Sequence, residues 1–109
     1  MIEVRQTAEF RTWLRNLRDD KAVTRIAARI RRLELGNPGD VKALGSGLLE
    51  MRIDHGPGYR VYYVRRGAVI VVLLCGGYKR TQQRDIRRAQ ALAAELEDGR
   101  RWSRRHVSM

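Results

Sequence analysis

The sequence predicts an α+β domain in the order β-α-α-β-β-β-α, a mainly antiparallel sheet packed on a helical hairpin and a C-terminal helix. Three observations predict it. Apolar residues recur at helical spacing through the first third of the chain. In the middle they alternate with polar ones at period two, then run unbroken from Ala68 to Cys75. A last helical stripe follows Thr81. The 109 residues leave room for one domain, read as residues 1–98, with residues 99–109 as a basic tail. A domain of this size has one modest core and no large enclosed pocket, so a substrate is expected to meet an open face.

Ile2-Glu3-Val4-Arg5-Gln6 alternates as a half-buried strand does. Thr7 is a helix N-cap, and Phe10, Trp13, Leu14 and Leu17 share one face of the helix it starts, leaving Arg11, Arg15 and Arg18 toward solvent. Asp19-Asp20 ends that helix and opens the next, whose stripe is Val23, Ile26, Ala27, Ile30 and Leu33, and Gly36-Asn37-Pro38-Gly39 stops it. Leu44-Gly45-Ser46-Gly47 lacks the Lys-Ser/Thr ending of a phosphate loop and reads as a turn. In the strand that follows, Leu49, Met51 and Ile53 face inward, and Glu50, Arg52 and Asp54 present charge. After the turn His55-Gly56-Pro57-Gly58 comes the strand Tyr59–Val64, and Arg66-Gly67 connects it to the strand Ala68–Cys75, which is apolar throughout and therefore central. Gly76-Gly77 is read as allowing positive φ before the last helix. Thr81 caps that helix, and Ile86, Ala89, Ala93 and Leu96 form its apolar side.

The charge balance points to a polyanionic partner. The chain has 23 Lys+Arg against 12 Asp+Glu, a formal net charge of +11, with Lys21, Lys42 and Lys79 as its only lysines. Nucleic acid phosphates, an anionic membrane surface or an acidic protein would each suit such a field, and the arginine fork suits bidentate phosphate contact. Arginine-rich codon usage is the other source of such an excess. The longest apolar run is too short to span a membrane and the first residues lack a secretory pattern, so a cytoplasmic protein with no membrane partner is expected. The single cysteine, Cys75, forms no intrachain disulfide, and with His55 and His106 it makes no metal-ligand set, so no metal and no cofactor is expected.

The outward faces of two neighbouring strands carry the candidate chemistry. Strand alternation places Glu50, Arg52, Arg60 and Tyr62 on one side of the sheet, with Lys79 and Arg80 leaving the next strand nearby. Cations on phosphates and rings on bases are what gripping RNA requires, and Tyr62, Tyr78, Lys42 and His55 are the candidate RNA contacts. A solvated strand face with Glu50 paired across strands is the plainer reading of the same pattern. His55, beside Asp54 in a turn, has the chemistry of a general base near neutral pH, but a lone turn histidine is more often ordinary. Cys75 reads as a buried small hydrophobe, not a nucleophile.

Asp40-Val41-Lys42-Ala43-Leu44-Gly45-Ser46-Gly47-Leu48-Leu49-Glu50-Met51-Arg52-Ile53, Gly58-Tyr59-Arg60-Val61-Tyr62-Tyr63, Leu73-Leu74-Cys75-Gly76-Gly77-Tyr78-Lys79-Arg80-Thr81-Gln82 and Asp85-Ile86 together resemble the RelE/ParE toxin superfamily. The likeness is greatest to its HigB-like branch, the phage-related killer proteins of addiction modules, and covers residues 1–98. The resemblance implies the toxin of a type II toxin-antitoxin pair, a metal-independent mRNA endoribonuclease often acting on the ribosome. In such enzymes the RNA's own 2′-hydroxyl attacks the adjacent phosphate and leaves a 2′,3′-cyclic phosphate end, so the protein aligns groups and stabilises charge.

By position, the resemblance makes Arg60 the arginine near the scissile phosphate, and Arg80, with Lys79, the basic site after the glycine pair. Glu50 and Arg52 stand where RelE-like enzymes carry two lysines, with Arg52 keeping a cationic role and Glu50 acting as a base or an arginine partner. Two positions depart from the pattern: Ile86 replaces a tyrosine of the last helix, and Gly-Gly-Tyr-Lys replaces Gly-Gly-Asp-Lys. The resemblance also implies a cognate antitoxin with a helix-turn-helix domain, through which alone the complex would bind operator DNA. Two other activities fit the same fold: a ParE-like, non-enzymatic inhibitor of DNA gyrase, and a catalytically silent co-repressor.

Overall fold

The computed structural model describes residues 1–98. The expected basic tail, residues 99–109, lies outside them. The chain runs β1 (Glu3–Gln6), α1 (Ala8–Arg15), α2 (Asp20–Glu34), β2 (Val41–Gly45), β3 (Leu48–Ile53), β4 (Tyr59–Arg66), β5 (Ile70–Tyr78), a short 3-10 turn (Lys79–Thr81) and α3 (Gln82–Asp98). The five strands lie in the order β1-β5-β4-β3-β2, with β1 parallel to β5 and every other pair antiparallel. The predicted α+β class and element order hold, with one strand added. The added strand, β2, takes up Leu44 and Gly45 of the expected turn. It pairs with β3 through Ser46 (φ 53°) and Gly47 (φ 80°), left-handed residues that suit a tight hairpin.

Local chemistry sets the starts of α1 and α2 as expected, whereas Thr81, expected to cap α3, closes the 3-10 turn before it and its hydroxyl accepts from the Tyr78 N–H. The Thr7 hydroxyl accepts from the Phe10 N–H (2.9 Å) and donates to the Leu74 carbonyl (2.6 Å), so the α1 cap is also tied to β5. Asp19 caps α2 by accepting from the Ala22 N–H at 3.1 Å. The α2 stripe is turned slightly from the predicted one: Ala22, Ile26 and Leu33 are buried, whereas Ala27 is exposed. Arg29 lies toward the sheet side of the helix, where its guanidinium donates to the carbonyls of Arg52 (2.5 Å), Pro38 (3.0 Å) and Asp40 (3.0 Å). Three carbonyls take up both terminal nitrogens of that cation and fasten α2 to the end of β3.

The sheet has two covered faces. Phe10, Ile26 and Leu33 of the helical hairpin pack on Met51, Ile53, Val61, Tyr63, Val71 and Leu73. On the other face α3 sets Ala89 and Leu92 against Leu48, Tyr62, Val64, Val72 and Leu74. The predicted solvated strand face is therefore, over most of its length, a second apolar core. Residues Val71–Cys75 are buried throughout, as an interior strand between two layers requires. Ala68 and Val69, predicted in this strand, fall in the preceding turn instead, with Val69 58% exposed.

Gly76 and Gly77 stand for close approach, not for positive φ, and both lie within β5. A Cβ on Gly76 would sit 2.3 Å from the Trp13 ring of α1, and one on Gly77 would sit 1.9 Å from Asp85 Oδ2 of α3. The two helix layers thus press on the strand from opposite sides at consecutive residues. Gly76→Ala is expected to cost about 1–3 kcal/mol, because the indole must leave the strand to admit a methyl group. Urea denaturation checks it: an unchanged midpoint would mean that Trp13 moves freely.

Candidate functional site

Strand register builds the site. Across β3 and β4, Glu50 stands opposite Tyr62 and Arg52 opposite Arg60; across β4 and β5, Arg60 stands opposite Gly77. Two residues beyond Gly77 the chain turns through Lys79 and Arg80 into α3. Glu50, Arg52, Arg60, Lys79 and Arg80 are thus gathered at one end of the sheet, where α3 begins.

Glu50 is the centre of the group and is completely buried. Arg52 Nε donates to its Oε1 (3.1 Å), while the Tyr62 hydroxyl (3.1 Å) and Gln82 Nε2 (2.7 Å) donate to its Oε2. Arg60 Nε lies 3.8 Å from the same oxygen. Burial pushes the Glu50 carboxyl upward, but the hydrogen bonds from Gln82, Arg52 and Tyr62 and the charge of Arg60 outweigh it and hold the group below the usual carboxylate range. It is an anion at neutral pH, closed off from solvent and engaged by donors on β3, β4 and α3. Of the two roles expected for Glu50, base or arginine partner, its contacts are those of a partner, with both oxygens occupied by donors.

The arginines are held accordingly. Arg60 Nη1 donates to the carbonyls of Gly58 (3.2 Å) and Tyr59 (3.3 Å), and its side chain is only 11% exposed. Arg52 keeps 35% of its side chain in solvent, and Lys79 and Arg80 are exposed. Four cations stand at this end of the sheet with two buried carboxylates, Glu50 and Asp85, and two of the four, Arg52 and Arg60, are held by hydrogen bonds.

The remaining candidates fall elsewhere. Tyr62, expected to offer its ring to a base, is fully buried; burial, then Glu50, raises its hydroxyl far above the ordinary phenol range, so it remains a donor to Glu50. Lys42 is exposed on β2, opposite Glu50 in register. His55 lies on the α1–α2 side, its ring stacked on Tyr59 (6.3 Å between centroids) and its Nε2 3.1 Å from Asp19 Oδ2, so it fastens the β3–β4 loop to the start of α2. Tyr78 is on that side too, its ring 5.4 Å from that of Tyr59. A bulge causes this: Tyr62 pairs with Cys75 and Tyr63 with Leu73, so the extra residue Leu74 reverses the facing of everything after it. The Cys75 thiol, 4% exposed, is pushed up to about 12 chiefly by burial and is not a nucleophile at neutral pH.

Sequence reasoning did not single out Gln82 or Asp85. Gln82, the first residue of α3, brings the helix onto Glu50. Asp85 is buried one turn later, where its Oδ2 accepts from the Thr81 hydroxyl and packs on Gly77. A polar residue in the first turn of a helix that follows a cationic strand end was the available signal. Among the described residues, no group of three His, Cys, Asp or Glu side chains is placed to hold a metal ion, and no helix is long and apolar enough to cross a membrane.

Fold and site together define a small α+β protein with a cluster of arginine and lysine at one end of its sheet. The chain belongs to the family described as Phage derived protein Gp49-like (DUF891), which it matches over residues 12–96, a span that includes every residue of the cluster. It is also 48% identical, over 95 residues, to an uncharacterised protein of Haemophilus influenzae; the aligned region is 87% of this chain and 96% of that relative.

Proposed function

We propose that this chain is a HigB-like member of the RelE/ParE superfamily, the toxin of a type II toxin-antitoxin pair, and that it arrests growth by cutting mRNA without a metal ion. The observation that carries the reading is the fixing of Arg52 and Arg60 around one buried carboxylate, Glu50, beside the exposed Lys79 and Arg80. RNA supplies its own nucleophile. Attack of a 2′-hydroxyl on the adjacent phosphorus forms the cyclic phosphate and releases the 5′-oxygen of the next nucleotide, and between them the phosphate passes through a more highly charged state. Guanidiniums already held in place lower the energy of that state more than that of the starting strand. The exposed cations Lys79 and Arg80 draw the strand in. An antitoxin that covers this end of the sheet needs acidic or helical complementarity to the cluster, and it carries any operator binding of the complex.

The test is brief induction in cells lacking the partner, with mRNA 5′ ends mapped beside an Arg60→Ala control. New ends should appear with the wild type and fall by about 10²–10³-fold in the variant, the loss typical of one preorganised charge-stabilising donor. Growth arrest with intact mRNA and blocked supercoiling would overturn the nuclease reading in favour of gyrase inhibition. Harmless overexpression would leave the silent co-repressor.

A further inference from the structure

The sheet end that carries the cations has a second side. Beyond the bulge at Leu74, β5 returns Tyr78 to the α1–α2 face, where Pro57, Tyr59, Tyr78 and Arg80 wall an open cleft. Tyr59 is 5% exposed and forms the floor. What reaches solvent is the half-buried Tyr78 ring, Pro57 and the exposed Arg80. An aromatic face and a guanidinium are the two groups on which an unpaired nucleobase stacks. A bare anion has no use for the rings, and an apolar side chain has none for the arginine.

Gly58 joins this cleft to the cluster around Glu50. Its carbonyl accepts from Arg60 Nη1 (3.2 Å) and from the Lys79 N–H (2.8 Å). A Cβ there would lie 3.2 Å from Lys79 Cβ and 3.3 Å from Arg60 Nη1, so the loop is closed tightly on both residues. Pro57 precedes Gly58 and Tyr59 follows it, which makes a single turn of chain the wall between the held guanidinium and the cleft.

We infer that the cleft of Pro57, Tyr59, Tyr78 and Arg80 receives one unpaired nucleobase of the RNA strand whose phosphate Arg52 and Arg60 hold. This rests on the RNA-cutting reading and adds to it the group that sets where along the strand the phosphate comes to lie. Stacking is tolerant of base identity, so the cleft fixes register more than sequence.

The experiment uses a short labelled single-stranded RNA with 2′-O-methyl riboses, which cannot be cut, and versions of it abasic at each position in turn. Binding to the full chain is read by fluorescence anisotropy. One abasic position should weaken wild-type binding roughly five- to a hundred-fold, the range measured for a base on an aromatic platform. Tyr78→Leu should abolish that positional effect and Tyr78→Phe should keep it. Arg80→Ala, an exposed change that leaves the apolar packing alone, should reduce it, which keeps the test intact if Tyr78→Leu folds poorly. Tight binding with a flat abasic scan, or a positional effect unchanged by both Tyr78→Leu and Arg80→Ala, would overturn the cleft and leave the nuclease reading standing. No binding of any of these RNAs would overturn the cleft as well, while the nuclease reading stands or falls by the mapped mRNA ends.

Discussion

Glu50→Ala is expected to lower the unfolding free energy at pH 7 by about 3 kcal/mol, the low end for breaking a buried ion pair because Arg52 keeps part of its guanidinium in water. The melting temperature should fall by roughly 10–20 °C for a domain of this size. The loss has three sources: a nearly buried Arg60 left without its counter-ion, a Tyr62 hydroxyl with no acceptor, and a Gln82 amide that no longer ties α3 to the sheet. Glu50→Gln should cost less, about 1–2 kcal/mol, since the amide oxygen still accepts from Tyr62 or Gln82. The pair of variants also separates charge from shape. Because folding holds the Glu50 carboxyl below its unfolded value, the unfolded state binds the extra proton, and stability rises with pH across that interval. The contribution is complete above the unfolded value of about 4.3 and disappears as pH drops through the lower folded one. Urea denaturation of wild type and Glu50→Gln at pH 7 and pH 3 reads this directly: the gap between them should shrink in acid. An equal gap at both pH values would mean that the Glu50 charge contributes nothing.

That carboxylate also marks where the sequence stopped being informative. Period-two alternation places Glu50, Arg52, Arg60 and Tyr62 on the same face of the sheet, and the strand register bears it out. Alternation reports which residues share a face, and it is silent on what lies over that face. The α3 stripe of Ala89 and Leu92 had to land somewhere, and it landed on the face that carries these polar residues, so Glu50 and Tyr62 became core. The bulge at Leu74 was hidden for a related reason. A continuous apolar run gives no phase, so nothing in Val71–Cys75 shows that an extra residue there moves Tyr78 to the opposite side. β2 was missed because Lys42-Ala43-Leu44-Gly45 is a short, mostly exposed edge without alternation, although Ser46-Gly47 between two leucines was a usable hairpin signal. The capped helices were legible because their signals are local: Thr7 and Asp19 act within three residues of themselves.

Gly77→Ala should be the most damaging small substitution in the chain, costing about 3 kcal/mol or more, at or beyond the upper end for overpacking. The added Cβ would lie 1.9 Å from Asp85 Oδ2 and 2.6 Å from its Cγ. Neither group can step aside cheaply. Gly77 is an interior position of β5, paired with Arg60, and the Asp85 carboxylate is buried at the start of α3 with the Thr81 hydroxyl donating to it. Displacing Asp85 loosens Thr81, whose Oγ1 accepts from the Tyr78 N–H and so shapes the turn that presents Lys79 and Arg80. A loss of folding and a loss of the cation cluster are therefore the same event. If the clash is the cause, removing the carboxylate relieves it: Asp85→Ala alone should cost about 1–2 kcal/mol for the lost hydrogen bond, and the double variant should be more stable than Gly77→Ala by itself. A coupling of about 1–3 kcal/mol is expected from a double-mutant cycle, measured by urea denaturation of the four proteins. Additive losses would show that glycine is needed at position 77 for its backbone and not for the space that Asp85 occupies.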